Sequence, residues 1–140
     1  MIRAALLVVS SVATLATVAH ADTRGWDVKL ADKAAVEVGV TTPLSLALAV
    51  DRGMTVSKDA PVIVDISADK GVTIKKRRLA RADAVDPEAD APRFAITVRG
   101  DTAGDRTVKV RVRFWLCAQK TCRPVEATKT AVVTVSLGEK

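Results

Sequence analysis

The chain has 140 residues, a formal net charge of +6, one histidine and two cysteines. Two cysteines cannot build a disulfide-rich scaffold or a four-cysteine zinc site within one chain. Aromatic residues make up only 3% of the sequence, which is too few for the stacking platforms that bind single-stranded nucleic acid, so we expect no nucleic-acid partner. The hydrophobic share of 49% and the charged share of 27% are those of an ordinary folded domain.

The first 21 residues have the pattern of a cleavable secretory signal peptide. Arg3 supplies the positive start, residues 4–19 are mostly apolar, and residues 19–21 form an Ala-His-Ala cleavage site. An uncleaved membrane anchor is the alternative, but the apolar run is shorter than the ~20 residues that a spanning helix needs. Cleavage leaves residues 22–140 as one periplasmic or otherwise exported domain. That domain has no histidine, which excludes histidine nucleophiles, histidine metal sites and histidine pH switches.

Beyond the signal peptide, apolar and polar residues alternate with a period of two, which predicts strands with one buried and one wet face. The alternation is clear in residues 44–50, 62–68, 94–98, 108–116 and 131–137, and weaker in 27–30, 35–40, 54–57 and 72–75. Glycine, proline and aspartate separate these runs. About seven to nine short strands with such turns predict an all-β, antiparallel β-sandwich. A helix is the alternative for residues 26–35, where alanine and lysine are frequent.

Three charged segments accompany the strands. Residues 81–93 carry four carboxylates and two prolines and predict a long acidic surface loop. The basic cluster Lys75–Arg81 is interpreted as a solvated strand end or edge, because lysine discourages pairing between sheets, and binding of an anionic partner is the alternative. Lys109, Arg111 and Arg113 alternate with valines and predict a basic stripe on a wet sheet face.

The chemistry that this composition still permits lies in the pair Cys117 and Cys122, five positions apart after the clearest strand. A four-residue loop between antiparallel strands would place them opposite each other with Cα atoms about 4.5–5.5 Å apart, which suits a disulfide. A disulfide that closes a loop this short stabilises the folded state by only ~2 kcal/mol. The low gain favours a redox role, because short exposed disulfides tend to be labile.

The neighbours of the cysteines support the same interpretation. Lys120 and Arg123 flank the pair, and positive charge favours the thiolate and lowers a cysteine pKa. Trp115 lies two residues before Cys117 and is expected to shield the disulfide. Thiol–disulfide exchange needs neither metal nor cofactor, and we expect none. The alternative is a non-catalytic exported binding or structural module with an inert hairpin disulfide.

Several segments resemble the N-terminal periplasmic domain of the DsbD-type thiol:disulfide interchange proteins. The similarity is carried by residues 94–98 and 104–116, by the cysteine pair with Pro124, and by residues 126–130; residues 53–58 and 71–74 are also similar. It implies an immunoglobulin-like sandwich in which Cys117 and Cys122 form a redox pair. The implied partners are a thioredoxin-like or membrane redox protein and periplasmic thiol proteins. Family members cap the cysteines with an aromatic-bearing loop, whereas residues 81–93 contain no aromatic residue.

Overall fold

The computed structural model describes residues 25–138, so the signal peptide predicted at residues 1–21 lies outside the described residues. The described chain forms ten strands and one 3₁₀ turn, Arg81–Asp83. The strands are β1 (Trp26–Leu30), β2 (Lys33–Glu37), β3 (Thr41–Val50), β4 (Met54–Val56), β5 (Ile63–Ala68), β6 (Val72–Ile74), β7 (Arg78–Ala80), β8 (Arg93–Gly100), β9 (Gly104–Ala118) and β10 (Thr121–Ser136). Between residues 25 and 138 no helix is long and apolar enough to cross a membrane.

The alternation of the sequence explains where the core lies. In β9 the valines at 108, 110 and 112 are fully buried, while Lys109 and Arg111 between them are exposed. The same period places Leu44 and Leu46 of β3 inside, in the same apolar core as Phe114 of β9. No polar or charged residue of the described chain is fully buried. The two sheets are therefore held together by an apolar layer, as in other sandwiches.

The strand order gives the sandwich an immunoglobulin-like topology. One sheet has the order β1-β3-β8-β6 and the other β2-β10-β9-β5-β7, with β4 pairing with β9 beyond the end of β5. Strands β1, β3, β8 and β6 facing β5, β9 and β10 reproduce the two sheets of a constant-type immunoglobulin domain. Every pairing between two of these strands is antiparallel except that of β2 with β10. The predicted all-β sandwich is confirmed.

Of the two alternatives for residues 26–35, strand is correct and helix is wrong, because that segment holds β1 and the start of β2, each of which buries one valine, Val28 and Val36. Strand β7 was not predicted, because its one buried residue, Leu79, lies among the cations of the basic cluster. It pairs with β5 at the edge of the sheet, so the cluster does contribute an edge strand.

Strands β9 and β10 form one long hairpin whose register is continuous from Ala118↔Thr121 to Gly104↔Val135. The predicted four-residue loop is wrong by one residue pair, since Ala118 and Thr121 are themselves paired and only Gln119 and Lys120 remain in the turn. Gln119 has a φ of 54°, in the left-handed region that residues other than glycine rarely occupy. Further along β10, Lys129 stands in the row that faces the other sheet and is nevertheless exposed.

Candidate functional site

The two cysteines form a disulfide, as predicted. Cys117 is the penultimate residue of β9 and Cys122 the second residue of β10, and the register places them directly opposite each other, one pair away from the turn. Their Cα atoms are 4.0 Å apart. This is closer than the expected spacing and is nearest to that of a non-hydrogen-bonded antiparallel pair, about 4.5 Å. Because alternate residues of β9 face the core, both sulfurs lie on the outer face of the sheet, with Cys122 exposed and Cys117 half-buried.

The side of Cys117 that faces away from Cys122 is covered. Thr55 of β4 is paired with Cys117, so its side chain shares the outer face with the sulfur. The Thr55 hydroxyl donates to the Asp90 carboxylate at 3.2 Å, and the Val56 N–H donates to the Asp90 carbonyl at 2.8 Å. The acidic loop predicted at residues 81–93 ends at residue 92, where β8 follows, and it closes the outer edge of β4 beside Cys117.

Arg81 attaches this loop to β4. Its Nε donates to the Pro87 carbonyl at 2.7 Å, and Nη2 donates to the Ala89 carbonyl at 2.7 Å. Nη1 donates to the carbonyls of Val56 at 3.2 Å and Ser57 at 2.9 Å. One guanidinium thus satisfies carbonyls from both segments, using the several donors that its planar fork provides. Sequence reasoning assigned Arg81 to the basic cluster and missed this role.

Two carboxylates fix the ends of the loop. Asp83 accepts from the Ala80 backbone N–H at 2.8 Å and from Lys76 at 2.7 Å, and these bonds, the backbone one first, lower its pKa. Asp86 accepts from the Arg93 backbone N–H at 2.7 Å and from the Arg93 side chain at 3.1 Å, which likewise lowers its pKa. Both groups are ionised at neutral pH, so the loop is held by charge-assisted bonds.

The side of Cys122 that faces away from Cys117 is open. Strand β2 pairs with residues 132–136 of β10, and no other strand of the described chain pairs with β10 on that side. Most side chains between residues 121 and 130 are exposed. The two sulfurs of one disulfide therefore have different surroundings, one in an interior strand and one at a free edge.

Trp115 and Pro124 form an apolar surface beside the disulfide. They are paired across β9 and β10 and share the outer face with the sulfurs. The Trp115 side chain is 40% exposed, and with Pro61, Ile63 and Pro124 it lines an open groove of about 430 Å³. The sequence predicted both residues as part of the site, and the structure brings both next to it. The contribution of Pro61 was missed, because it comes from a loop more than fifty residues earlier.

The basic stripe on the outer face is largely neutralised. Asp65 accepts from Arg78 at 2.7 Å and from Arg113 at 3.2 Å, and the bond from Arg78 is the main reason that its pKa is lowered. Glu126 accepts two bonds from Arg111, at 2.9 and 3.0 Å, which lower the pKa of Glu126 and raise that of Arg111. The outer sheet face that was predicted to be solvent-exposed thus carries a network of ion pairs.

The two cations predicted to flank the disulfide are placed differently. Lys120 lies in the exposed turn between the cysteines, close to both in sequence. Arg123 follows Cys122 and by alternation projects from the opposite face of β10. Lys120 is therefore the predicted cation whose position along the hairpin best suits an effect on the sulfurs.

No protein-family model matches the sequence, and no curated protein matches it. Among solved structures, the chain is similar to AggA, the major subunit of aggregative adherence fimbriae type I from Escherichia coli. The TM-score is 0.40 and the identity 10%, over 79% of this chain and 94% of the fimbrial subunit. It is also similar to a cohesin module from a family 33 glycoside hydrolase of Clostridium perfringens. That TM-score is 0.39 and the identity 8%, over 80% of this chain and 97% of the cohesin module.

Proposed function

We propose that this is an exported domain of the DsbD N-terminal kind, and that its Cys117–Cys122 pair performs thiol–disulfide exchange with other exported thiol proteins. The observation that carries the proposal is a disulfide with one exposed cysteine, Cys122, near the tip of a hairpin whose register is already set by a continuous ladder. A bond placed there adds little to what the ladder holds. The bond instead leaves the Cys122 sulfur accessible to solvent, and thiol–disulfide exchange requires an accessible sulfur.

The surroundings of the two sulfurs favour attack at Cys122. A thiolate attacks a disulfide along the line of the S–S bond, from the side opposite the leaving sulfur. For Cys117 that line crosses Thr55 and the segment around Asp90. For Cys122 it crosses the open edge of β10.

The exchange then runs in two balanced steps. The partner thiolate forms a bond to Cys122 Sγ, the S–S bond breaks, and Cys117 leaves as a thiolate with the bonding electron pair. A second thiolate of the partner attacks the partner sulfur of this mixed disulfide and releases Cys122 as a thiolate. The partner is then oxidised and the cysteine pair reduced. The same steps in reverse reduce a partner disulfide. Lys120, in the turn between the sulfurs, supports the anionic leaving group.

Localisation and partners follow from the same set of observations. The signal-peptide pattern of residues 1–21 and the disulfide both suit an oxidising compartment, which we propose to be the periplasm. The resemblance to DsbD-type proteins supports a thioredoxin-like or membrane redox protein as electron donor. Neither partner requires a cofactor in this chain.

The proposal is tested by the reduction potential of the pair, measured against glutathione or dithiothreitol buffers. A potential above about −300 mV is expected for an exchanging disulfide, and a value well below it would identify an inert one. A second test uses Cys117→Ser, which keeps Cys122 and cannot resolve a mixed disulfide. It should accumulate covalent complexes in the cell envelope, whereas the double variant Cys117→Ser/Cys122→Ser serves as the control and should accumulate none.

The turn favours a second candidate function, that of a non-catalytic exported module whose disulfide only pins the hairpin. Gln119 occupies a left-handed conformation that costs a non-glycine residue roughly 1 kcal/mol or more. A disulfide adjacent to such a turn offsets that cost. A very low reduction potential together with the absence of trapped partners would assign the domain to this class.

A further inference from the structure

The free edge of β10 presents backbone groups directly beside Cys122. The N–H of Val132 donates to the carbonyl of Asp32 at 2.9 Å, and the carbonyl of Ser136 accepts from the N–H of Val38 at 2.9 Å. Even-numbered residues of β10 therefore direct their N–H and C=O groups away from β9, toward the edge. Because the register with β9 is continuous, this alternation extends to the turn.

Strand β2 uses this edge only at residues 132–136. Above it, the N–H groups of Cys122, Glu126, Thr128 and Thr130 point outward with no strand partner in the described chain. Pro124 contributes a carbonyl but no N–H. The exposed edge thus begins at the reactive sulfur and ends where an intramolecular strand already occupies it.

We infer that this edge is a docking site for an extended, cysteine-bearing segment of the partner protein, which adds to β10 as an antiparallel strand and so presents its thiol to Cys122. The inference rests on the proposed exchange function and specifies how its substrate is bound. Strand addition to an exposed edge supplies affinity through backbone bonds and selectivity through alternate side chains. That β2 already occupies one end of the edge shows that the edge accepts a neighbour.

The geometry of such a pair matches the chemistry. Because the Cys122 backbone groups point outward, a residue placed opposite it would form a hydrogen-bonded pair with Cα atoms about 5.5 Å apart. That spacing lies within the roughly 4.4–6.8 Å that disulfides span. Opposite residues also share a face, so the partner sulfur would lie on the outer face. The partner sulfur, Cys122 and Cys117 would then stand in a row across three strands, which is the alignment that exchange requires.

The register also predicts which residue the partner carries near its cysteine. In an antiparallel pair the residue two positions before the partner cysteine lies opposite Pro124, on the outer face. Pro124 and Trp115 line the apolar groove there. We therefore expect an apolar side chain at position −2 of the substrate segment. Because Pro124 has no N–H, the docked segment would form one backbone hydrogen bond fewer with β10. Weaker pairing suits a partner that must dissociate after exchange.

The test uses the oxidised wild-type chain and synthetic peptides with one cysteine and a leucine at position −2. One peptide is N-methylated at position −4, whose N–H would face the Glu126 carbonyl, and the matched control is N-methylated at −3, whose N–H would point away. The rate of mixed-disulfide formation is measured by mass spectrometry after acid quenching. We expect the −4 peptide to react at least about fivefold more slowly than the control, the equivalent of one lost hydrogen bond.

A protein variant tests the same edge from the other side. Thr128→Pro removes an outward N–H without touching the ladder with β9 and should slow the unmethylated peptide by a similar factor, provided circular dichroism shows a folded sheet. Equal rates for both methylated peptides, with 2-mercaptoethanol still opening the disulfide, would overturn strand docking and leave the exchange function intact. A disulfide that neither peptides nor 2-mercaptoethanol open would overturn both. A concentration-dependent dimer lost in Thr128→Pro would identify a second copy as the occupant and overturn the inference.

Discussion

The two flanks of the disulfide have different surroundings. On the Cys117 flank, β4 is paired with β9, and the loop of residues 81–92 is tied over β4 by Arg81. On the Cys122 flank, β10 is the edge of the sheet, because β2 pairs with it only at residues 132–136. The two sulfurs of one disulfide can therefore differ in their exposure to solvent. Cys117 lies in an interior strand of the sheet, whereas Cys122 lies at a free edge.

Removal of Arg81 is the largest perturbation that we expect, because it opens the covered flank. Arg81→Ala leaves four carbonyls without their shared donor and should lower the free energy of unfolding by about 3 kcal/mol. It should also expose residues 84–92 to proteolysis. Urea denaturation and limited proteolysis measure both effects. Arg77→Ala, an exposed residue of the basic cluster, is the matched control and should change stability by less than about 0.5 kcal/mol. Equal losses in the two variants would mean that the loop does not depend on Arg81.

Removal of the disulfide should have a smaller effect. Cys117→Ser/Cys122→Ser should lower the free energy of unfolding by about 2 kcal/mol or less, because the closed loop is short. Denaturant unfolding of the variant against the oxidised wild type measures the difference. A loss that approaches the 5 kcal/mol at the upper end for native disulfides would make the bond structural and remove the contrast between the flanks.

The single-cysteine variants compare the flanks directly. Cys117→Ser keeps the sulfur at the open edge, and Cys122→Ser keeps the covered one. The first should react with a small activated disulfide at least about tenfold faster than the second, since exchange rates depend on access. Stopped-flow absorbance gives both rates, and each serves as the control for the other. Similar rates would show that β4 and Asp90 do not obstruct Cys117.

The turn between the flanks offers a stabilising change. Gln119→Gly replaces a residue at a φ of 54° with the one residue that adopts this conformation without steric cost, so the variant should gain up to about 1 kcal/mol. Thermal unfolding of the reduced and the oxidised forms measures the gain. Lys120→Gly is the control and should bring none. A loss of stability in Gln119→Gly would mean that the glutamine side chain contributes contacts that outweigh the strain.

The smallest effect is expected from pH. Asp83 and Asp86, in the loop over Cys117, have pKa values below the ordinary 3.8. Their contribution is therefore complete above that value and is lost as the pH falls through the lower folded-state value. Amide exchange in residues 81–92 should accelerate in this acid range before the β9–β10 ladder opens. Asp86→Asn should weaken the pH dependence, and an unchanged profile would argue against these bonds.

Much of the sandwich could be predicted, because alternation is a local signal. The run from Val108 to Leu116 identifies β9 and its two faces without knowledge of any other strand. The spacing of the cysteines likewise predicts their pairing. The loop was predicted with four residues instead of two. A two-residue turn requires a positive φ at Gln119, and glutamine is not a residue that predicts such a turn.

The elements of the covered flank were predicted, as a strand at residues 54–57 and a loop at residues 81–93, but the contacts that join them beside Cys117 could not be. Arg81 lies 25 and 24 residues from Val56 and Ser57, whose carbonyls it binds, and nothing in the sequence marks those carbonyls as unsatisfied. The pairing of Thr55 with Cys117 depends on β4 reaching β9 beyond the end of β5. The open flank at Cys122 could not be predicted for a similar reason. Whether the first residues of β10 pair with another strand depends on how far β2 extends along β10.

Lys129 sets a limit on what the free edge of β10 can do. A long unpaired strand is a template for fibre growth and precipitation, and proteins protect such edges with charges that face inward. Lys129 stands in the row facing the other sheet, between Ala127 and Ala131. A second molecule that laid a full strand along this edge would have to desolvate that ammonium group. Lys129 therefore disfavours continuous stacking of copies along this edge, while the part of the edge near the turn can still pair with a short strand.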